Sequence, residues 1–215
     1  MIRTILMFDF DGTLADTMPD LVDALIDILG DRLSGDEYQR RDQIMQLIQL
    51  PPREMFQAFA DMTGWQASEI QSKAATLTAR LPARLFPEVP AVLKSLKRSG
   101  FQVVVSSNNP DKSFGDRLAG VGLSDQCDIA LGTDGEKGIS KEDHPRVVAE
   151  PLGMRPEELA ATAVLVGDMP GDMQLACKAG LLAIGRLTGK NANNMMAAGA
   201  QQTADRAFSV RSVPI

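Results

Sequence analysis

Asp9 and Asp11 stand two residues apart at the end of a short apolar run, residues 4–8, and Gly12 and Thr13 follow at once. Taken alone, such a pair is most often a turn or a solvated face. Three further polar clusters change its weight. Ser106-Ser107-Asn108 follows the apolar run 102–105, Lys141 stands farther along, and Gly167-Asp168-Met169-Pro170-Gly171-Asp172 follows the run 163–166. In open α/β sheets ligands bind beyond the carboxyl ends of the strands, so these clusters converge on one pocket if the strands are neighbours.

That pocket would hold four carboxylates, those of Asp9, Asp11, Asp168 and Asp172, against the single ammonium of Lys141. So much like charge in one place requires a cation. The donors are hard oxygens, with no thiolate or histidine beside the aspartates, which favours Mg²⁺ over zinc or iron. All four aspartates are therefore candidate ligands. A phosphate would bridge the metal, Lys141 and backbone amides. Gly12, having no Cβ, lets the backbone approach an oxyanion closely, while Thr13 and Ser106 can each donate a hydroxyl hydrogen bond. Ser107 completes the candidate phosphate-binding set.

Phosphate monoesters hydrolyse very slowly unaided, and covalent catalysis divides the task into two displacements. Asp9 is the candidate nucleophile that becomes an aspartyl-phosphate. Asp11 would protonate the leaving alcohol and then take a proton from the water that releases phosphate. Lys141 would neutralise Asp9 and the transferring oxygens, with Asp168 and Asp172 holding the metal.

These residues need a scaffold that brings them together. The apolar runs 4–8, 102–105 and 163–166, with weaker ones at 128–131 and 182–184, have strand length and β-branched content. Between them, helical spacing over 89–98, 113–121, 145–152 and 172–179 ends each time at a glycine: Gly100, Gly122, Gly153 and Gly180. Strands alternating with helices predict an α/β fold, a Rossmann-like parallel sheet flanked by helices. Residues 17–86 break the rhythm. Pro19 opens a helix through Leu21, Val22, Leu25, Ile28 and Leu29; a second pattern through Ile44, Leu47 and Ile48 stops at Pro51 and Pro52; a third runs through Met55, Phe56 and Phe59. The expected organisation is an α/β core of residues 1–15 and 87–215 with a small all-helical cap, 16–86, inserted after the first strand. Residues 80–90, with Pro82, Pro87 and Pro90, form the return linker.

Bulk composition bounds the partners. The 215 residues carry 22 Lys and Arg against 28 Asp and Glu, a formal charge of -6. No basic clustering suits a polyanion, so no nucleic-acid partner is expected. No apolar stretch approaches the roughly 18 residues of a membrane helix, and residues 1–8 lack a cleavage site. A cytoplasmic protein with no membrane partner, a monomer or homodimer, is expected. Cys127 and Cys177 have no metal-ligand spacing.

The four motifs in this order resemble the haloacid dehalogenase superfamily, in its phosphoglycolate-phosphatase-like branch. The first stands as Asp9-Phe10-Asp11-Gly12-Thr13-Leu14-Ala15-Asp16-Thr17, the second ends Val103-Val104-Val105 with Ser106, and the fourth is Val166-Gly167-Asp168-Met169-Pro170-Gly171-Asp172. Lys141 begins a Lys-x-x-His run with His144, which favours it over Lys137 as the third-motif lysine. The resemblance covers nearly the whole chain. It implies a Mg²⁺-dependent phosphatase acting on a small phosphorylated metabolite, such as phosphoglycolate or a sugar phosphate, with Asp9 as nucleophile and Asp11 as acid and base. It places the cap's substrate-selecting turn near Gln49 and Arg53. A phosphotransferase or phosphomutase of the same superfamily and a non-hydrolytic phospho-aspartate signalling module are the alternatives. A cap without histidine speaks against the mutase, and the inserted cap against the signalling module.

Overall fold

The computed structural model describes residues 4–50, 52–78, 80, 83–187 and 192–204. Pro51 and Pro82, expected as a helix stop and part of the linker, lie outside them. The chain divides into two compact units, one of residues 1–16 and 83–215, the other of residues 17–82.

The larger unit is built on strands β1 (Ile5–Asp9), β2 (Gln102–Pro110), β3 (Ile129–Thr133), β4 (Ala163–Gly167), β5 (Leu182–Arg186) and β6 (Gln202–Ala204). They form one sheet in the order β3-β2-β1-β4-β5-β6, every neighbouring pair parallel. Successive side chains of a strand point to opposite faces, and the core divides accordingly. Leu6, Phe8, Val103, Val105, Val164 and Val166 pack in one cluster, whereas Ile5, Met7, Val104, Leu165 and Ala183 pack in another. Parallel strands buried on both faces read as continuous apolar runs, which is why these were visible in the sequence.

The smaller unit consists of α1 (Met18–Leu29), α2 (Glu37–Leu47), α3 (Pro52–Thr63) and α4 (Ala67–Thr78). It has an apolar core of its own, with Val22, Leu25, Leu29, Ile44, Phe59 and Ile70 buried together. Asp36 caps α2 reciprocally, accepting from the Gln39 amide while the Gln39 side chain accepts from the Asp36 amide, each at 2.9 Å.

The crossovers of the larger unit are α5 (Val89–Arg98), α6 (Asp111–Gly120), α7 (His144–Ala149), α8 (Pro156–Thr162), α9 (Pro170–Lys178) and α10 (Ala192–Ala197). A 3₁₀ turn, Lys141–Asp143, leads into α7, and Ser140 caps it by donating from its amide and hydroxyl to Asp143 Oδ2 at 3.0 and 2.9 Å. Among the described residues, no helix is long and apolar enough to cross a membrane.

Two differences from the expected pattern bear on the site. Residues 83–86 belong with the larger unit: the Asp16 amide donates to Arg84 O at 2.7 Å, and the Phe86 amide to Leu14 O at 3.1 Å. Strand β2 runs past Ser106 to Pro110, with an irregular register against β3 between those two residues. Ser106, Ser107 and Asn109 are therefore strand residues, all buried, rather than a loop beyond it.

Candidate active site

β1, β2 and β4 lie side by side, with Asp9 in register with Ser106 and Phe8 with Val166. The polar residues that end these strands thus meet at the carboxyl end of the sheet. Beyond β1 the chain turns sharply: Leu14 and Ala15 amides both donate to Phe10 O at 2.9 Å, and the Gly12 amide donates to Ala15 O at 2.7 Å. Gly12 sits at φ +80, and a Cβ there would collide with Asp168 Oδ2. Only glycine lets this turn press against the β4 carboxylate. Arg186 pins the turn from β5, donating to Thr13 O at 3.0 Å and to Glu88 at 3.2 Å while stacking on Phe86, 3.7 Å from its centroid.

Asp9, Asp168 and Asp172 each offer one oxygen, all within 4.8 Å of one another, and all three are buried. Lys141 bridges two of them, donating from Nζ to Asp9 Oδ1 and to Asp172 Oδ1, the latter at 2.7 Å. Burial works against the ammonium, but Asp172 and Asp9 more than offset it and hold Lys141 above the ordinary lysine value. Burial likewise pushes the Asp9 carboxyl up to about 7, with Asp172 adding to the rise and Lys141 opposing it. Asp168 is raised too, by burial and then by Asp9 and Asp172. Three buried carboxylates against one ammonium leave two negative charges, and a divalent ion would cancel them. Closely grouped carboxylate oxygens are hard donors, which fits an ion of that kind.

One expectation is corrected. The side chain of Asp11 does not join the carboxylate group. The chain leaves the extended conformation after Asp9, so strand alternation no longer carries Asp11 to the Asp9 side. Its Oδ1 accepts from Arg117 Nη2 at 3.0 Å, and its Oδ2 from Asn109 Nδ2 at 2.6 Å. The two hydroxyls expected to meet a phosphate are engaged with protein acceptors. Thr13 donates to Asp168 Oδ1 at 3.1 Å, and Ser106 Oγ lies 2.8 Å from His144 Nδ1. Ser107 Oγ accepts from the Asn109 amide and side chain at 3.0 and 2.7 Å.

The Lys-x-x-His spacing has a physical cause. Residues three apart on a helical turn share a side, so Lys141 and His144 both face the strand ends. Lys137 is exposed and pairs with Asp134 at 3.1 Å, far less suited to a buried role. His144 is fully buried, with Nε2 3.0 Å from Gly132 O. A carbonyl can only accept, so Nε2 carries the proton, Nδ1 accepts, and Ser106 must donate to it. Gln49 and Arg53 belong to the helical unit, where Arg53 is exposed and Gln49 half-buried.

Burial holds His144 in its neutral form, pushing its pKa down to about 4; Lys141 adds to the fall, and Gly132 O, Asp143 and Asp111 oppose it. The folded value lies below the unfolded one, so the unfolded chain binds the extra proton. His144 therefore destabilises the fold progressively as pH falls from about 6.5 towards 4, by on the order of 3 kcal/mol at the lower end. Chemical denaturation of the wild type and His144→Gln across that window should show a shallower pH dependence in the variant. Parallel curves would contradict this assignment.

Sequence reasoning missed Arg117 and Asn109. Phe114, Leu118 and Val121 mark the apolar side of the α6 pattern, and Arg117 falls on that same side, which was the available signal.

A profile of haloacid dehalogenase-like hydrolases matches residues 6–185. The chain belongs to that family. A phosphoglycolate phosphatase of Aquifex aeolicus is 30% identical over 179 residues, covering 82% of this chain and 81% of its own. A protein of Dickeya dadantii named probable phosphatase IndB is 27% identical over 217 residues, covering 96% and 91%. Among solved structures, a hydrolase from Pseudomonas syringae superposes with a TM-score of 0.72 at 20% identity, over 94% of this chain and 92% of that one, which matches the fold.

Proposed function

We propose that the protein is a Mg²⁺-dependent phosphatase that hydrolyses a small phosphate monoester, of the phosphoglycolate or sugar-phosphate kind, through an aspartyl-phosphate on Asp9. The observation that carries this reading is the buried trio Asp9, Asp168 and Asp172 bridged by Lys141 at the strand ends. Phosphatase names among relatives that span most of the chain support it.

Asp9 Oδ attacks phosphorus, the bond from phosphorus to the alkoxy oxygen breaks, and its electron pair leaves with that oxygen. Asp11 gives the leaving oxygen a proton. In the second displacement water attacks phosphorus and passes a proton to Asp11, the bond to Asp9 breaks, and its electron pair restores the Asp9 carboxylate. Lys141 stabilises the charge on Asp9 and on the transferring oxygens. Mg²⁺, held by Asp9, Asp168 and Asp172, would supply electrostatic stabilisation of the phosphoryl group. Thr13 orients Asp168, and Ser106, Ser107 and Gly12 frame the phosphoryl position. We assign the choice of substrate to the helical unit, through Gln49 and Arg53.

The test is turnover of a panel of phosphate esters with and without Mg²⁺. Release of inorganic phosphate that stops on chelation and returns with Mg²⁺ is expected. No turnover of any ester, or turnover indifferent to chelation, would overturn the reading.

A further inference from the structure

One buried arginine takes no direct part in the chemistry above. Arg117 lies on α6 with its side chain 7% exposed. Burying a guanidinium is costly unless it is paired. Its Nε has no hydrogen-bond partner among the described residues, so its burial rests on the contacts of Nη1 and Nη2 and of the guanidinium face. What the guanidinium does touch is specific. Nη2 and Nη1 lie 3.0 and 3.5 Å from the two oxygens of Asp11, and the group lies over the Phe10 ring, 5.3 Å from its centroid. Asn109 completes the arrangement: its Nδ2 donates to Asp11 Oδ2 at 2.6 Å and also lies 2.7 Å from Ser107 Oγ.

Asp11 needs such support. It lies in the turn beyond the end of β1, and its side chain is still 28% exposed. A flexible carboxylate would meet the leaving oxygen only part of the time, and proton transfer demands placement within hydrogen-bond reach. A planar fork on both oxygens fixes the direction as well as the position of a carboxylate.

We propose that Arg117 and Asn109 are positioning residues for Asp11, a clamp from α6 and the end of β2 that aims the acid and base at the leaving group. This rests on the assignment of Asp11 as the proton donor. Neither residue touches the phosphoryl group; both act through Asp11.

Leaving-group dependence tests it. An alkyl phosphate needs a proton on its departing oxygen, whereas 2,4-dinitrophenyl phosphate departs as a stable anion and needs none. With Mg²⁺ present, the reading is kcat/KM, which reports formation of the aspartyl-phosphate and not its hydrolysis: Arg117→Met should lower it on the alkyl ester by about 30-fold or more, while the dinitrophenyl ester loses only a few-fold. Asn109→Leu should show the same split, smaller in size, and Arg117→Lys should recover part of the loss. Circular dichroism and melting curves report whether each variant folds, and Asn109→Leu decides the question if Arg117→Met does not. Equal losses on both esters, or no loss on the alkyl ester, would overturn the clamp. Asp11→Asn run in parallel separates the two levels: if it splits the esters and the Arg117 variant does not, the clamp alone fails. If Asp11→Asn lowers kcat/KM equally for both, the assignment of Asp11 as proton donor fails.

Discussion

Asp9→Asn is expected to lower turnover of every phosphate monoester the protein accepts by about 10⁴-fold or more, in the range seen when a covalent nucleophile is removed. The substitution changes one oxygen for an amide nitrogen and leaves the volume intact, so the fold should survive. It also relieves a buried carboxyl that burial already pushes up to about 7. The Asp9→Asn variant should therefore melt no lower than the wild type while losing its chemistry. Kinetics and thermal melts on the same preparation check both halves. A variant that keeps turnover within about tenfold would remove Asp9 from the nucleophile's role.

The second large effect is expected at Lys141. Its ammonium donates to both Asp9 and Asp172 inside a site where all three side chains are at most 9% exposed. Replacing it with methionine leaves two buried carboxylates facing each other without their shared partner. Breaking a buried pair in this way costs about 3–5 kcal/mol. Loss of a charge-stabilising donor lowers kcat by about 10²–10³-fold. Both losses should appear in Lys141→Met, and Mg²⁺ should raise its melting temperature more than it raises that of the wild type, because the ion then meets less competing positive charge. Unchanged kcat would contradict the assignment.

What the sequence made legible follows from where information is local. The runs that became β1, β2 and β4 are buried on both faces and read as unbroken apolar segments, and the polar clusters at their ends carry residue types with few innocent uses in that order. β6 is three residues long and, among the described residues, α4 fully buries only Ile70 and Ala74, so neither left a pattern strong enough to read. The acceptors of the site hydroxyls were hidden for another reason: Thr13 meets Asp168 across 155 positions of chain. The position of Asp11 depended on one structural detail, that β1 ends at Asp9 and strand alternation ends with it. Arg117 could have been noticed as a charge on an apolar helix face, but its partner could not.

The most direct test is to quench the wild-type protein with acid during steady-state turnover of a phosphate ester in Mg²⁺, and to map its peptides by mass spectrometry. The peptide containing Asp9 should carry the mass of one phosphoryl group, placed on Asp9 by fragmentation and missing from Asp9→Asn. A phosphoryl group found on another side chain, or rapid turnover with no phosphorylated peptide at any quench time, would contradict covalent catalysis by Asp9.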